Sequence, residues 1–290
     1  KWHTERERER TDIKMRLRCV VEMVVVGPRT DPLSLKALDV GCAIYFIWML
    51  AGEVRGDGLR YSKFAKAAGL TWPSRVGMAV MYLPSFLLPS AFLLLKLSHS
   101  RLLPSACTTR LLLTSSALSL HFFKRVLEVL FVHKYSGSME VKMSILISGA
   151  YATATGVILY AQQLAAESNQ EPPIDLMKWG VGVFVVGITG NFYHHYLLAT
   201  LRSEKKPSNG ASQYKIPQGG LFRWVVCPHY LCESIGFFGV AMIAQTFIAL
   251  LTAVGMSASL CARSYKTKEW YLKKIDGFPA HRKPFFPFLF

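Results

Sequence analysis

Three polar residues with helical spacing lie at the end of an apolar segment of the sequence. They are Asn191, His195 and Arg202, in the stretch GNFYHHYLLATLR. Offsets of four and eleven residues place all three side chains on one face of an α-helix. An amide, an imidazole and a guanidinium on one face can bind the same polar ligand. The alternative is a helix end whose polar residues reach water.

A second candidate region is the segment 214–234, YKIPQGGLFRWVVCPHYLCES, just ahead of an uncharged run at 234–262. Its Gly-Gly pair permits unusual backbone geometry and the close approach of a ligand, and two prolines fix turns on either side. Non-helical backbone at membrane depth needs protein or water to satisfy its polar groups. Glu233 directly precedes the uncharged run, and a charged side chain at that position requires a partner. His229 or a ligand hydroxyl is suitable.

A third candidate region is the basic stretch RSYKTKEWY at 263–271, which follows the uncharged run. Arg263 and Tyr271 are eight residues apart, so a helix places them on roughly the same face. The alternative is a basic anchor at a membrane interface, which the spacing alone favours.

Charged residues also occur inside an otherwise apolar segment. Lys124, Arg125 and Glu128 follow the uncharged block 111–123. Because charge is costly in hydrocarbon, these side chains must face a cavity, another helix or the interface. The sequence further predicts that this third helix is interrupted at 121–125, HFFKR.

The elements that position these residues are membrane-spanning helices. The chain has 290 residues, of which 51% are hydrophobic and 18% charged. About 20 consecutive apolar residues cross a bilayer. The sequence therefore predicts an all-α integral membrane protein with six to seven transmembrane helices enclosing a cofactor and substrate cavity, and a possible helix break at Gly255. The uncharged blocks are 76–95, 111–123, 143–164, 179–193 and 234–262.

The formal net charge of +16 has two interpretations. Nucleic-acid binding is one, but basic cytosolic loops explain the excess better in a multi-span protein. The six cysteines form no C-x-x-C pair, and Cys227, Cys232 and His229 have no second ligand pair. We therefore expect neither a metal nor a nucleic-acid partner.

The composition divides the chain into three parts. Residues 1–35 form a basic N-terminal tail, or an upstream extension of a start at Met15 or Met23. Residues 36–170 supply N-terminal transmembrane helices on the substrate side. Residues 171–290 contain the first three candidate regions and form the C-terminal domain.

Five motifs together resemble a known family. They are GNFYHHYLLATLR, YKIPQGGLF, CPHYLCE, WYLKKIDGFP and RKPFFPFLF, in this order and extending to the chain terminus. This C-terminal part, about 120 residues long, is similar to the steroid 5α-reductase family, which includes polyprenol reductases and trans-2-enoyl-CoA reductases. The segments LRYSKF, YLPSFLLP and HFFKRVLEVLFVHKYSG most resemble the plant branch of that family.

The resemblance implies an NADPH-dependent reductase of a carbon–carbon double bond, with seven helices, in the membrane of the endoplasmic reticulum. The activity expected is that of an oxidoreductase acting on a CH–CH group with NADP as acceptor, in lipid or steroid metabolism. It also implies cofactor contacts by position: Tyr61, Lys134, Asn191, Arg202, Lys215, Glu233, Arg263 and Tyr271.

The sequence departs from steroid reductases at several of these positions. His195 replaces an Asp of the cofactor site and His229 replaces an Asn, and we keep both as cofactor-binding candidates. Met81 and Tyr82 stand in place of a Gln-Glu pair, and Phe122 in place of a Tyr. The groups that polarise a steroid ketone are therefore replaced.

The expected chemistry is hydride addition to the β-carbon of an activated alkene, with stabilisation of charge on the conjugated oxygen. Tyr82 can donate a hydrogen bond to that oxygen, with help from His121 or Arg125. The alternative is that Tyr82 packs in an apolar tunnel. An enone steroid, a polyprenal-like lipid and an enoyl thioester all suit the sequence as substrates.

Two readings outside the enzyme class stay open. A transporter would show internal repeats in two matching halves, and the sequence contains no such repeat. A catalytically silent membrane scaffold would keep the fold but lack NADPH affinity.

Overall fold

A computed structural model describes most of the chain. The described residues are 6–7, 15, 25, 33–55, 69–99, 106–135, 137–169, 171–201 and 215–288. They contain seven long helices: α1 (Leu33–Arg55), α2 (Ser74–His99), α3 (Ala106–Leu127), α4 (Val141–Glu167), α5 (Met177–Leu201), α6 (Pro228–Ala244) and α7 (Phe247–Lys274). The predicted all-helical character is confirmed.

One short sheet joins two of the helices at their first turns. Strand β1 (Thr71–Pro73) pairs antiparallel with β2 (Ser138–Glu140), with Trp72 opposite Met139. Since β1 leads directly into α2 and β2 into α4, the pairing sets the starts of these helices side by side.

The helices pack into one continuous arrangement. Helix α5 packs along α6, α2 packs on α3 and α4, and α7 packs on α1 and α6. One apolar core lies between α3, α4, α5, α6 and α7, and a second lies between α2, α3 and α4. Met81 and Phe122 belong to this second core.

The distribution of polar side chains is that of a membrane protein. Glu128 and Asn191 are each 1% exposed, whereas Leu94 is 67% and Val186 63% exposed. Within the described ranges, three helices are long and apolar enough to cross a membrane. Charge inside and apolar surface outside is the pattern expected for helices in lipid. The candidate spans are Ser74–Ser98, Val141–Glu167 and Phe247–Lys274.

Two details of the sequence prediction were wrong. The third helix is not interrupted at 121–125, because α3 runs on through Leu127 and continues as a π-helical segment, Glu128–Val132. The long uncharged run does not break at Gly255, which lies inside α7. A β-carbon there would come within 2.3 Å of the Phe46 ring, so this glycine serves the contact of α1 with α7.

The actual break lies at Gln245, between α6 and α7. This residue has a left-handed backbone with φ 48°, and its N–H caps α6 by donating to Ala241 O. Its side-chain Oε1 accepts hydrogen bonds from Arg110 Nη1 and from Leu176 N–H, both at 2.8 Å. Arg110 also pairs with Asp175 at 2.8 Å. The Met177 N–H and this guanidinium lower the pKa of Asp175.

Helices α5 and α6 approach so closely that their backbones are in contact. A β-carbon on Gly187 would lie 2.3 Å from the backbone nitrogen of Gly236, closer than any real contact. Only glycine fits such an approach without moving one helix. The contact matters for the site because α5 and α6 carry four of the ten predicted cofactor residues.

We expect Gly187→Val to destabilise the protein by at least ~3 kcal/mol, the upper end for an overpacked core. The reason is that the new side chain would push α5 away from α6. Thermal unfolding in detergent measures the effect. Gly182→Val is the matched control on the same helix, because a β-carbon at Gly182 meets no atom within 4 Å. Equal melting temperatures for the two variants would contradict the packing described.

Candidate functional site

A buried carboxylate, Glu128, forms the centre of the site. It begins the π-helical segment after α3 and is surrounded by basic groups. Arg125 Nη1 donates to Glu128 Oε2 at 2.7 Å, and Lys124 Nζ lies 3.1 Å from Oε1. From α5, His195 Nδ1 lies 3.1 Å from Oε2. A buried carboxylate is stable only with such paired and hydrogen-bonded partners.

Arg125 joins this carboxylate to α2. Its Nη2 donates to the phenol oxygen of Tyr82 at 2.6 Å, and its guanidinium carbon lies 4.7 Å from the centre of the same ring. Both side chains are buried. The structure therefore brings two of the three residues predicted to be catalytic into direct contact.

Asn191 links the same cluster to α6. Its side-chain oxygen accepts a hydrogen bond from Lys124 Nζ. Its Nδ2 donates to the backbone oxygen of His229 at 2.8 Å and lies 3.4 Å from Glu233 Oε2. The carboxamide of Asn191 is thus a partner of Glu233 that the sequence analysis did not predict.

The turn formed by Gly219 and Gly220 is held against α5. Gly220 has φ +50°, a conformation that side chains rarely adopt, and a β-carbon there would come within 2.8 Å of His194 Nε2. His194 Nε2 accepts the N–H of Leu221 at 3.1 Å, and its Nδ1 lies 2.7 Å from Gly190 O. These two bonds require a neutral ring protonated on Nδ1.

The C-terminal segment fastens this turn from the other side. Arg282 Nη1 donates to Pro217 O at 2.7 Å, and Val226 N–H donates to Lys283 O at 2.8 Å. Tyr271 of α7 packs on Phe278 with ring centres 5.1 Å apart. The last residues of the described chain therefore fix the loop that precedes α6.

A half-buried histidine lies between the cluster and the connecting segment after α3. The His133 ring centre is 4.8 Å from that of His195, and its Nε2 is 4.0 Å from Glu128 Oε2. Burial and the nearby His195 and Arg125 lower the pKa of His133 to about 3, so its ring is neutral near pH 7.

The atoms that could ligate a metal in Glu128, His133 and His195 lie within 4.8 Å of one another. Arg125 and Lys124 already neutralise the carboxylate at hydrogen-bond distance. A metal cation would meet their repulsion, so we describe the group as an ion-pair network.

The structure places the other predicted site residues as follows. His121 is buried one turn before Arg125, with its ring against Phe122 and Phe237. Arg263 is buried in α7. Lys134 and Lys215 are exposed. Tyr61 and Arg202 lie outside the described residues.

The charges of Lys124 and Glu128 were evident in the sequence, but no role in the site was predicted for them. Their signal was present, because a lysine and a glutamate four residues apart in an apolar helix lie on one face. What the sequence could not supply was the long-range partner, since His195 is 67 positions from Glu128.

These features define a helical membrane protein with a buried polar network that connects α2 and α3 with α5 and α6. Residues 139–290 match the family described as 3-oxo-5-alpha-steroid 4-dehydrogenase. The chain is 30% identical over 285 residues to 3-oxo-5-alpha-steroid 4-dehydrogenase 2 of Sus scrofa, covering 95% of this chain and 100% of the pig protein. The chain therefore belongs to this family of oxidoreductases, and the resemblance seen in the sequence is confirmed.

Two further relatives carry different names. The very-long-chain enoyl-CoA reductase of Dictyostelium discoideum is 28% identical over 208 residues, 71% of this chain and 66% of that protein. Steroid 5-alpha-reductase DET2 of Gossypium hirsutum is 35% identical over 112 residues, 38% of this chain and 42% of that protein. The chain thus spans less than two thirds of these two relatives, and their names give two different substrate classes.

Proposed function

We propose that the protein is an NADPH-dependent reductase of a carbon–carbon double bond conjugated to a carbonyl group in a membrane lipid. One observation carries this proposal. The predicted catalytic pair, Tyr82 and Arg125, and the predicted cofactor residues, Asn191 and His195, belong to one buried network that Glu128 joins.

The chemistry of the described residues is compatible with a bound dinucleotide. Arg125 Nε is buried without a hydrogen-bond acceptor in the described part of the chain. The same holds for the hydroxyl of Thr267, one turn after Arg263 on α7. Buried polar atoms of this kind are costly unless a ligand satisfies them. Bound NADPH would supply the hydride for the β-carbon.

Each protein group has a proposed role. Asn191 and Glu233 offer an amide and a carboxylate to the polar part of the cofactor, and Arg263 offers a guanidinium. Tyr82 donates its phenol hydrogen to the carbonyl oxygen of the substrate, where negative charge develops. Arg125 donates a hydrogen bond to the phenol oxygen of Tyr82.

The proposed setting is the membrane of the endoplasmic reticulum, crossed by six or seven helices around a cavity. In the proposed division, residues 36–170 form the substrate side and 171–290 the cofactor side. The Glu128 network supports a site between them, because it connects α2 and α3 with α5 and α6.

Three carbonyl-activated alkenes are candidate substrates: an enone steroid, a polyprenal-like lipid and an enoyl thioester. The first and third correspond to the names of relatives from pig and Dictyostelium. The replacement of the steroid-polarising pair by Met81 and Tyr82 favours substrates other than steroids. A catalytically silent scaffold is the second candidate function, and cofactor binding separates it from the reductase.

We expect purified protein to bind NADPH in preference to NADH, and Arg202→Ala to weaken NADPH binding ~10–100-fold. A charge-assisted hydrogen bond to phosphate contributes ~1.5–3 kcal/mol, which corresponds to that range. Quenching of tryptophan fluorescence in detergent measures the affinities. Lys178→Ala is the matched control, because this exposed lysine lies in the first turn of α5 and is 24 positions from Arg202 in the sequence.

Two outcomes would contradict the reductase. If the intact protein binds neither dinucleotide, the scaffold is the better description. If Arg202→Ala and Lys178→Ala lower NADPH affinity equally, the phosphate side of the cofactor site has been misplaced.

A further inference from the structure

We propose that Glu128 is a positioning residue that aims the Tyr82 phenol at the substrate by fixing Arg125. This inference rests on the proposed function for its catalytic meaning. Glu128 acts indirectly, through Arg125, since its contacts are with Arg125, Lys124 and His195.

The chemistry of the two groups fixes the direction of the hydrogen bond between Arg125 and Tyr82. A guanidinium only donates, so the Tyr82 oxygen must accept the bond from Arg125 Nη2. The phenol hydrogen is therefore directed away from Arg125. The positive charge behind the oxygen also makes the phenol a stronger donor to a carbonyl oxygen.

The orientation of the Arg125 guanidinium depends on two different partners. Its two terminal nitrogens have different partners, Glu128 at Nη1 and Tyr82 at Nη2. Because the group is planar, fixing Nη1 fixes the direction of Nη2. Without the carboxylate, Nη1 would lose its charged partner and keep the longer contact with His195 Nδ1 at 3.0 Å, so the rotation of the guanidinium would be less restrained.

The Glu128 carboxylate is itself held in place by neighbouring side chains. Lys124, on the same helix, and His195, on α5, hold the two oxygens of its carboxylate. The π-helical turn in which it lies is closed by a bond from His133 N–H to Glu128 O at 2.7 Å. Single π-helical turns of this kind occur frequently at functional sites.

A double-mutant cycle tests whether Glu128 acts through Tyr82. With the conjugated carbonyl substrate that the protein reduces, we expect Glu128→Gln to lower kcat ~10–100-fold with little change in KM. In a Tyr82→Phe background the same change should cost less than ~2-fold, because the group being aimed is gone. Losses that multiply in the double variant would overturn the proposal. Glu128→Asp, which keeps the charge, serves the same cycle if Glu128→Gln does not fold.

A spectroscopic measurement decides the inference without turnover. With 3-fluorotyrosine at position 82, we expect Glu128→Gln to shift the ¹⁹F signal in detergent. The same label at Tyr160, whose side chain is exposed on α4, is the control and should not respond. An unchanged signal at position 82 would overturn the positioning role. A protein that reduces no conjugated carbonyl but shows the shift would overturn the proposed function and leave the positioning role standing.

Discussion

Arg125→Leu is expected to lower turnover ~10³-fold and to destabilise the protein by ~3–5 kcal/mol. The loss of turnover follows because Arg125 contacts both the Tyr82 phenol and the Glu128 carboxylate. Removing one preorganised donor from a catalytic site typically costs ~10²–10³-fold, and here the aim of Tyr82 is lost as well. The loss of stability follows because Glu128 stays buried with less compensating charge.

Arg125→Lys separates the two effects. A lysine keeps the positive charge beside Glu128, but its single ammonium cannot replace the planar fork that reaches two partners. We therefore expect a melting temperature near that of the wild type together with a kcat at least ~10²-fold lower. Turnover and thermal unfolding are measured on the same detergent preparation. Arg75→Leu, at an exposed arginine near the start of α2, is the control. Wild-type turnover in Arg125→Leu would show that the network is not the catalytic site.

The sequence predicted most of the helical framework because long apolar blocks need no long-range information. Helix α4 extends at most three residues beyond each end of the uncharged block 143–164, and α5 contains the whole of the block 179–193. Periodicity also placed Asn191 and His195 on one face, and both are buried in α5. These features depend on residues close together in the chain.

The structure departs from the sequence prediction where the partner of a residue is distant in the chain. Gly255 suggested a break, yet this glycine accommodates Phe46, more than 200 positions earlier. The break occurs instead at Gln245, whose side-chain partner Arg110 lies 135 positions away. Glu128 had a local signal, but its role depends on Tyr82 and His195, which come from other helices.

Gln245→Leu is expected to destabilise the protein by ~4 kcal/mol without changing the chemistry of the site. The side chain accepts two hydrogen bonds, from Arg110 and Leu176, and donates one to Ile174 O at 2.9 Å. Losing them leaves a buried guanidinium short of an acceptor, which is costly. A leucine must also adopt the left-handed backbone at φ 48°, which adds strain.

Two further variants assign the cost to its cause. Gln245→Gly relieves the backbone strain but restores no hydrogen bond, so it should recover only ~1 kcal/mol. Arg110→Leu with Gln245→Leu should be less destabilising than the sum of the single changes, because replacing both partners by apolar groups removes the unmet donor. Thermal unfolding in detergent measures these variants and the single variant Arg110→Leu. Additive losses in the double variant would show that the two side chains do not stabilise each other.

Variants at Gln245 and at Arg125 separate effects on the melting temperature from effects on kcat. Arg110 and Arg125 are fifteen residues apart on α3, roughly 22 Å at the helical rise. Each ties α3 to other helices through a buried guanidinium, but Arg110 meets a backbone break and Arg125 meets the phenol and carboxylate of the candidate site. Gln245→Leu should therefore lower the melting temperature at unchanged kcat below that temperature. A fall in kcat as large as that of Arg125→Lys would mean that the α6–α7 break also positions the site.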